Sequence, residues 1–314
     1  MRKVIPGLLA IVVLVSVIQM VHPLYGQSES HVIATKSGSA QTFTLAASFP
    51  VVNDTIEVFK VVKTPEVTPE YVEGIGKKLG FTGSAGDSDP GTIGMVDEIE
   101  RRHLQAYMDS GGMWYRVADK MHPVVYSQPD LPSDVDAGRI ATEFLHNRDL
   151  LPEGAVFDRV TADQQITAVK GSDEVVSSYN VTLQAIFARK INNLPVVGPG
   201  HKLKVFIGNN SEVVGLFKVW RDIEPYRDVA LKTPEAAYDD LVAGNVMVAT
   251  RAAYTYGNVT IRDVYLAYWM EPADSRQEYV LPVYVFKGDA TDKEIDGIVP
   301  FTGYVLAVQD GEII

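Results

Sequence analysis

The chain has 314 residues, of which 46% are hydrophobic and 22% charged, as expected for a folded protein with a substantial core. Its 40 acidic residues outnumber its 28 Lys and Arg residues, and the formal net charge of −12 argues against general binding to a nucleic-acid backbone. The absence of cysteine excludes disulfides, thiol nucleophiles and thiolate metal sites.

The first 26 residues have the pattern of an exported protein. Arg2 and Lys3 precede an uncharged apolar run, "VIPGLLAIVVLVSVIQMV", at 4–21. A cleaved signal peptide has such a cationic start and apolar stretch, here with Gly26 before the cut. A run of about 18 residues is also just long enough to cross a bilayer as a retained anchor. Both alternatives, a signal peptide or a membrane anchor at 1–26, predict that the body of the chain is extracytoplasmic.

A first structural unit follows the N-terminal segment. Residues 27–54 are interpreted as a spacer and first strand, and residues 55–130 as a first α+β unit. Within it, Thr68-Pro69-Glu70 predicts a helix start, with Thr as the N-cap, Pro in the first turn and an acid beside it. The helix is expected to end at Gly80. A hairpin is predicted over 103–117, "HLQAYMDSGGMWYRV", because Ser, Gly and Asp mark its turn.

Two further units, 131–225 and 226–314, are each predicted to begin with a helix. Ser133 or Asp134 caps the first of these helices, and Thr233-Pro234-Glu235 opens the second, which Gly244 closes. Alternating apolar residues then predict strands at 156–168, 176–190, 202–208 and 213–220 in the second unit and at 259–270, 279–286 and 301–308 in the third.

Leu-Pro-Val occurs once in each of these two units, in "NNLPVVGPGHKLKVFIG" (192–208) and "EYVLPVYVFKG" (278–288). Proline has no N–H to donate to a sheet, so it belongs at a strand entry or on an edge. Pro195 and Pro282 are therefore predicted to start strands at equivalent places in two repeated units.

The second unit carries a family resemblance. A helix, a Leu-Pro-Val entry, a long strand, a polar turn and a Val-Val-Gly return, in "LPVVGPGHKLKVFIGNNSEVVGLFKVW", resemble PepSY-type domains. These modules occur in exported propeptides of metalloproteases and in membrane-associated bacterial and archaeal proteins. The resemblance covers about 133–314 and implies an α+β fold of tandem helix-plus-antiparallel-sheet units. The sequence departs from it at Gly198-Pro199-Gly200 and in the acidic stretch 289–296. The resemblance implies no catalytic residue, because such modules are not enzymes.

Motifs for chemistry are weak throughout the chain. The six histidines are dispersed and form no His-Glu-x-x-His pair for zinc. Asp87 and Asp89, and the acids within 289–296, carry oxygen ligands suited to calcium but lack the EF-hand spacing, so solvated loops are expected. No catalytic residue, metal site or cofactor is predicted. Paired carboxylates for glycoside hydrolysis stay open, because their pairing is spatial.

Four Asn-x-Ser/Thr sequences are candidate glycosylation sites in an exported protein. They lie at Asn53, Asn180, Asn209 and Asn258. Chance occurrence is the alternative explanation, so they serve only as surface markers.

Aromatic residues concentrate in the third unit, where seven of the fifteen tyrosines and Trp269 lie within 254–304. Such residues commonly pack a sheet face. Adjacent Tyr268 and Trp269 must point to opposite faces, however, so one of them is predicted to be exposed as a binding residue.

Two classes of function follow. The leading prediction is a non-catalytic extracytoplasmic module that binds another extracytoplasmic or membrane protein, as inhibitor, sensor or accessory subunit. The alternative is an extracellular protein that binds or hydrolyses glycan through the aromatic C-terminal unit. No nucleic-acid partner is expected, and membrane contact is expected only through residues 4–21 if they are retained.

Overall fold

The computed structural model describes residues 15–17, 42–62, 66–171, 174–249, 256–292, 297–309 and 311–312. The protein is mostly β: 48% of the described residues lie in strands and 16% in helices. Long strands account for this content, since β-branched and aromatic residues fill the alternating segments of the sequence.

The strands are numbered along the chain. The first ten are β1 (Val15–Val17), β2 (Thr42–Leu45), β3 (Thr55–Val61), β4 (Gly86–Asp87), β5 (Thr92–Asp97), β6 (Arg102–Tyr107), β7 (Met113–Val117), β8 (Val156–Ala168), β9 (Val175–Ala188) and β10 (Lys190–Ile191). They continue as β11 (Leu194–Val197), β12 (Lys202–Ile207), β13 (Val213–Val219), β14 (Ile223–Ala230), β15 (Val248–Ala249), β16 (Tyr256–Trp269), β17 (Tyr279–Val280), β18 (Pro282–Asp292) and β19 (Gly297–Leu306).

Three of the four α-helices that the structure describes begin where the sequence predicted, and the short helix at Ala118–Met121 was not predicted. The four are α1 (Pro69–Lys78), α2 (Ala118–Met121), α3 (Asp134–Asn147) and α4 (Pro234–Ala243), with a 3₁₀ turn at Asn209–Ser211. The hydroxyls of Thr68, Ser133 and Thr233 accept hydrogen bonds from backbone N–H groups of the first turns of α1, α3 and α4. Gly244 ends α4 with a left-handed backbone, at φ +83°. These caps are confirmed because they depend on a few neighbouring residues only.

The largest sheet has nine strands in the order β1-β8-β9-β12-β13-β7-β6-β5-β4. All its pairs are antiparallel, and β7 joins β13 with Trp114 opposite Phe217. Helix α1 packs on β5 and β6, and α3 packs on β8, β9 and β12. The core between these helices and the sheet includes Val72, Leu104 and Leu145, each with no exposed surface.

A second sheet has seven strands and a third has three. The second follows the order β10-β11-β16-β18-β19-β15, with β2 also paired to β16, and the third follows β14-β3-β17. Helix α4 packs on β19. Tyr284 and Phe286 of β18 are fully buried in the core on this side.

The predicted tandem units are wrong as a fold class. The first predicted unit and the second share one sheet, because β13 pairs with β7 across them. The third unit is completed by β2 from the N-terminal region and by β11 from the second unit. The physical reason is edge pairing: a strand at a sheet edge exposes unpaired N–H and C=O groups, and joining the small predicted sheets removes such edges.

The repeated Leu-Pro-Val has two different settings. Pro282 begins β18, as predicted, and lies opposite Tyr268 of the neighbouring antiparallel strand. Pro195 is the second residue of β11, which pairs in parallel with the end of β16, and the long strand β12 starts only afterwards. The two prolines are therefore not at equivalent positions.

The predicted signal or anchor lies almost entirely outside the described residues. Only β1 belongs to it, and this strand pairs with the end of β8. No helix in the described part of the chain combines the length and apolar character needed to cross a bilayer.

Candidate functional site

The two residues predicted to bind a partner are both buried. Tyr268 has 0% and Trp269 5% of its surface exposed. The ring of Tyr268 packs edge-on against Phe59 of β3, with 5.4 Å between ring centroids. Trp269 packs against Tyr304 on the opposite side of the sheet, at 5.0 Å.

The prediction that one of the pair faces solvent is therefore wrong. Adjacent strand residues do point to opposite faces, but apolar side chains cover both faces of the sheet at this position. Phe59 and Val280 lie on the Tyr268 side, and Val283 and Tyr304 surround Trp269. Burial of Tyr268, followed by the charge of Glu57, raises the pKa of its hydroxyl well above the ordinary value.

Three of the four candidate glycosylation residues are exposed. Asn53, Asn209 and Asn258 lie on the surface, and Asn180 is half-buried. The amide of Asn180 accepts a hydrogen bond from Gln164. Their use stays a prediction.

The acidic loops do not converge on a metal site. Within the described ranges, no group of three or more His, Asp or Glu side chains is placed to hold a metal ion. Asp89 accepts a hydrogen bond from Gln105, and Asp289 forms an ion pair with Arg262. Residues 293–296 of the acidic stretch lie outside the described residues.

A groove of about 880 Å³ lies where the seven-stranded and three-stranded sheets meet. The residues around it come from the segment after β2, from β3, from the β10–β11 turn and from β14 and β16. They are Pro50, Val51, Val52, Asn53, Thr55, Ile56, Glu57, Asn192, Leu194, Pro195, Asp228, Leu231, Tyr265, Leu266 and Tyr268. The groove is therefore assembled from parts of the chain that are far apart in sequence.

One wall of the groove is a strand edge that is paired only at its two ends. On this edge β2 pairs with residues 258–261 of β16, and β11 pairs with Tyr268 and Trp269. Among the described residues, no strand pairs with this edge between 261 and 268. A gap of about six residues, roughly 20 Å of extended chain, thus separates β2 from β11.

The backbone groups in this gap have a definite direction. The N–H of Met270 donates to Val197 on the β11 side, whereas the N–H of Trp269 donates to Leu281 on the other side. Hydrogen-bonding direction alternates along a strand, so Val264 and Leu266 point their N–H and C=O groups into the gap. The described loops and turns make no backbone hydrogen bond to either residue.

The charges at the groove are negative. Glu57 of β3 and Asp228 of β14 lie directly opposite each other in adjacent antiparallel strands. Like charges in this position repel each other. The amide of Asn192 donates to the Glu57 carboxylate at 2.9 Å. No Lys or Arg lies among the residues that surround the groove.

The sequence alone does not reveal this groove. Its signal is a pattern of strand pairing, which joins residues more than 200 positions apart, as when the Tyr268 hydroxyl bonds the Glu57 carbonyl. The local clue to the groove is Pro195, because a proline in a strand has no backbone N–H to donate to a neighbouring strand.

A second polar cluster, at the junction of the large sheet with the 271–275 loop, has a structural role. The buried guanidinium of Arg221 donates to the carbonyls of Glu271, Pro272 and Ser275 at 2.7 to 2.8 Å. Burial lowers the pKa of Arg221 to about 10. This side chain thus uses three of its five N–H groups to satisfy three loop carbonyls, which indicates a structural role.

His201 completes the same junction. Its Nε2 accepts a hydrogen bond from the backbone N–H of Arg189, and its ring packs on Trp220 with 5.0 Å between centroids. Burial, followed by the charges of Lys202 and Arg189, lowers the pKa of His201 to about 3. The imidazole is therefore neutral at ordinary pH and acts as an acceptor.

Comparison with known proteins gives structural likenesses only. No family model and no curated protein matches the chain. The chain is similar to an uncharacterized protein from Eubacterium rectale ATCC 33656, at 10% identity over 88% of this chain and 92% of that one, with a TM-score of 0.49. It is also similar to the C-terminal domain of Bacillus megaterium YpeB, at 12% identity over 78% and 99%, with a TM-score of 0.35.

The resemblance to PepSY-type domains stays a prediction.

Proposed function

We propose that the protein is a non-catalytic extracytoplasmic module that binds another protein by receiving an extended segment of it in the groove. The observation that carries this proposal is the gap in strand pairing along β16, between its partners β2 and β11. A segment of about four to six residues lying in this gap would hydrogen-bond to Val264 and Leu266 as an added strand.

The groove also favours a particular kind of segment. Backbone hydrogen bonds supply affinity in strand addition, and pockets for side chains supply specificity. Leu194 and Leu266 offer apolar contacts, and the opposed carboxylates of Glu57 and Asp228 offer a place for one Lys or Arg. The partner segment is therefore extended, largely apolar and basic at one position.

The location and the absence of catalysis are part of the same proposal. The cationic start and apolar run of residues 2–21 support export. A tagged full-length chain, expressed in a bacterial host and fractionated, is expected outside the cytoplasm, and the N-terminus of the recovered protein distinguishes a cleaved signal from a retained anchor. Recovery of the uncleaved chain from the cytoplasm would contradict this part.

The groove is tested with a phage-displayed library of random eight-residue peptides selected on the full-length protein. We expect enriched peptides that are β-branched and carry Lys or Arg. Amide hydrogen exchange is then measured with a synthetic copy of the best peptide. Slower exchange at Val264 and Leu266 is the expected result, because those amides gain acceptors. Binding that leaves both amides unchanged would refute strand addition.

Matched substitutions test the role of the acids. The double variant Glu57→Gln, Asp228→Asn is expected to weaken peptide binding about tenfold, because a charge-assisted contact with the basic residue of the peptide is lost. The control, Glu224→Gln with Asp130→Asn, removes one exposed Glu and one exposed Asp outside the groove. It is expected to leave affinity within about twofold, and equal losses in both variants would contradict the proposed site.

A further inference from the structure

The nine-stranded sheet has one face that its two long helices leave free. Helices α1 and α3 pack on one side, through Ile75 and Ala141 among others. The other side, here called the open face, is covered at one end by α2 and the segment after it. There Thr182 donates to the carbonyl of Met121 at 2.6 Å. The described helices leave the rest of this face uncovered.

Strand register places three cations together on the open face. Lys204 of β12 lies opposite Ile186 of β9, and Ile186 lies opposite Arg159 of β8. Lys202 is two residues from Lys204 on the same strand and so points the same way. The backbones of Lys202 and Lys204 are about 7 Å apart, and those of Lys204 and Arg159 about 10 Å.

Nearby acids compensate this positive charge only in part. The side chain of Lys202 forms no hydrogen bond or ion pair within the described ranges, and the Lys204 ammonium donates to the neutral amide of Gln184 at 2.9 Å. Arg159 pairs with its neighbour Asp158. The nearby Asp163 carboxyl, whose pKa is raised by burial, accepts a hydrogen bond from the Gln184 amide and offsets part of the charge of Lys204. The cluster is unusual in a chain of net charge −12.

Burial and neighbouring cations both affect the pKa of Lys202. Burial, followed by the charges of Lys204 and Arg159, lowers the pKa of Lys202 to about 8. A bound anion would relieve this cost, because an opposite charge stabilises the protonated amine.

Aromatic side chains continue the same surface. Trp114 of β7 lies opposite Phe217, which lies opposite Lys204. The half-buried indole makes edge contacts with Phe206 and Phe217, at 5.3 and 5.4 Å between centroids. Arg116, on the same face of β7, adds a further cation.

We propose that the open face binds an anionic carbohydrate polymer, whose acidic groups pair with Lys202, Lys204 and Arg159 while a sugar ring packs on Trp114. The charge complementarity requires an anionic ligand. Lysine is depleted from the cores of protein–protein interfaces, yet two lysines lie at the centre of this surface. The indole of Trp114 offers a surface for a sugar ring, so we infer a polymer with repeated acidic groups on sugar rings. Single-stranded DNA is the competing class that the test below measures.

The proposal is tested with fluorescein-labelled heparin as the probe, by fluorescence polarisation on the full-length protein. Lys202→Gln, Lys204→Gln is expected to weaken binding at least tenfold and to reduce the slope of log affinity against log salt by about two. The matched control Lys77→Gln, Lys170→Gln changes two exposed lysines elsewhere and is expected to change affinity less than threefold. Because Arg159 is exposed, Arg159→Gln provides a second test with little risk to folding.

Other polymers distinguish the chemical class of ligand that the open face binds. Poly-L-glutamate, single-stranded DNA and neutral dextran are measured in parallel. The proposal would be overturned if heparin affinity were unchanged in the double variant Lys202→Gln, Lys204→Gln and also unchanged in the single variant Arg159→Gln. Tighter binding of poly-L-glutamate or DNA at the same residues would also overturn it. The groove variant Glu57→Gln, Asp228→Asn is expected to bind heparin normally, so this proposal and the peptide proposal fail independently.

Discussion

The hydroxyl of Tyr268 donates a hydrogen bond of 2.7 Å to the backbone carbonyl of Glu57, so a residue of β16 fastens the seven-stranded sheet to the three-stranded one. Because Glu57 also contributes a carboxylate to the groove, this bond fixes the position of the strand that carries the acid. The buried tyrosine thus supports the groove from beneath.

Tyr268→Phe is expected to lower the free energy of unfolding by about 1 kcal/mol, the net worth of one hydrogen bond. Denaturant titration measures this change. Tyr126→Phe is the control, because Tyr126 is 80% exposed and its hydroxyl is expected to contribute nothing. An unchanged unfolding midpoint in Tyr268→Phe would show that the bond does not hold the sheets together.

The junction at His201 makes stability depend on pH. The folded state keeps this imidazole neutral down to about pH 3, whereas the unfolded chain binds a proton below about pH 6.5. The unfolded state therefore binds more protons in this window, and stability present above pH 6.5 is lost as the pH falls. By pH 5 the loss from this residue is about 2 kcal/mol.

The measurement is the free energy of unfolding at pH 7 and pH 5. His201→Gln keeps an acceptor for the Arg189 N–H but cannot titrate, so its stability is expected to fall less between these values. His146→Gln, at an exposed position of α3, is expected to retain the wild-type slope. If all three proteins lose the same stability, His201 is not the source.

Gly200 lies where the backbone passes very close to the 271–275 loop. A Cβ at this position would lie 1.5 Å from the carbonyl oxygen of Glu271. Gly200→Ala must therefore move the backbone of a junction that Arg221 holds in place. We expect destabilisation of roughly 3 kcal/mol or more.

Thermal unfolding of Gly200→Ala and Gly83→Ala checks this expectation. A Cβ at Gly83 would have no atom within 4 Å, so that variant is expected to be near wild type. Similar midpoints for the two variants would mean that the close approach at Gly200 is not a constraint.

The sequence predicted the local features of the fold and missed the long-range ones. Thr68, Ser133 and Thr233 cap helices because a hydroxyl needs only the next three residues to do so. The pairing of β7 with β13 and of β2 with β16 depends on edges that meet only in the folded chain. The periodicity of apolar residues within one segment does not determine which strand edges pair with each other.

The same limit explains the candidate sites. Alternation correctly placed Tyr268 and Trp269 on opposite faces, but the burial of both depends on Phe59 and Tyr304, from distant strands. The groove is a gap in pairing, and the cation cluster of the open face joins β8 to β12 through β9. Neither has a contiguous sequence motif.

The opposed acids of the groove give a prediction in which stability and binding change in opposite directions. Asp228 faces Glu57 across the β3–β14 pair, whereas Glu224 of the same strand faces Lys60. Removing a repulsive cross-strand contact stabilises a sheet, and removing an attractive one destabilises it, each by roughly 0.2 to 1 kcal/mol. Asp228→Asn is therefore expected to be more stable than wild type and Glu224→Gln less stable.

Denaturant titrations at low salt and at 1 M NaCl measure these two shifts, which are expected to shrink at high salt because both pairs are near the surface. Asp228→Asn is also expected to bind the selected basic peptide more weakly. The Asp228 carboxylate lowers the stability of the fold by repelling Glu57, and the same carboxylate is proposed to contact the Lys or Arg of the peptide. If Asp228→Asn loses stability, or gains stability without losing peptide affinity, this role for the acid pair is contradicted.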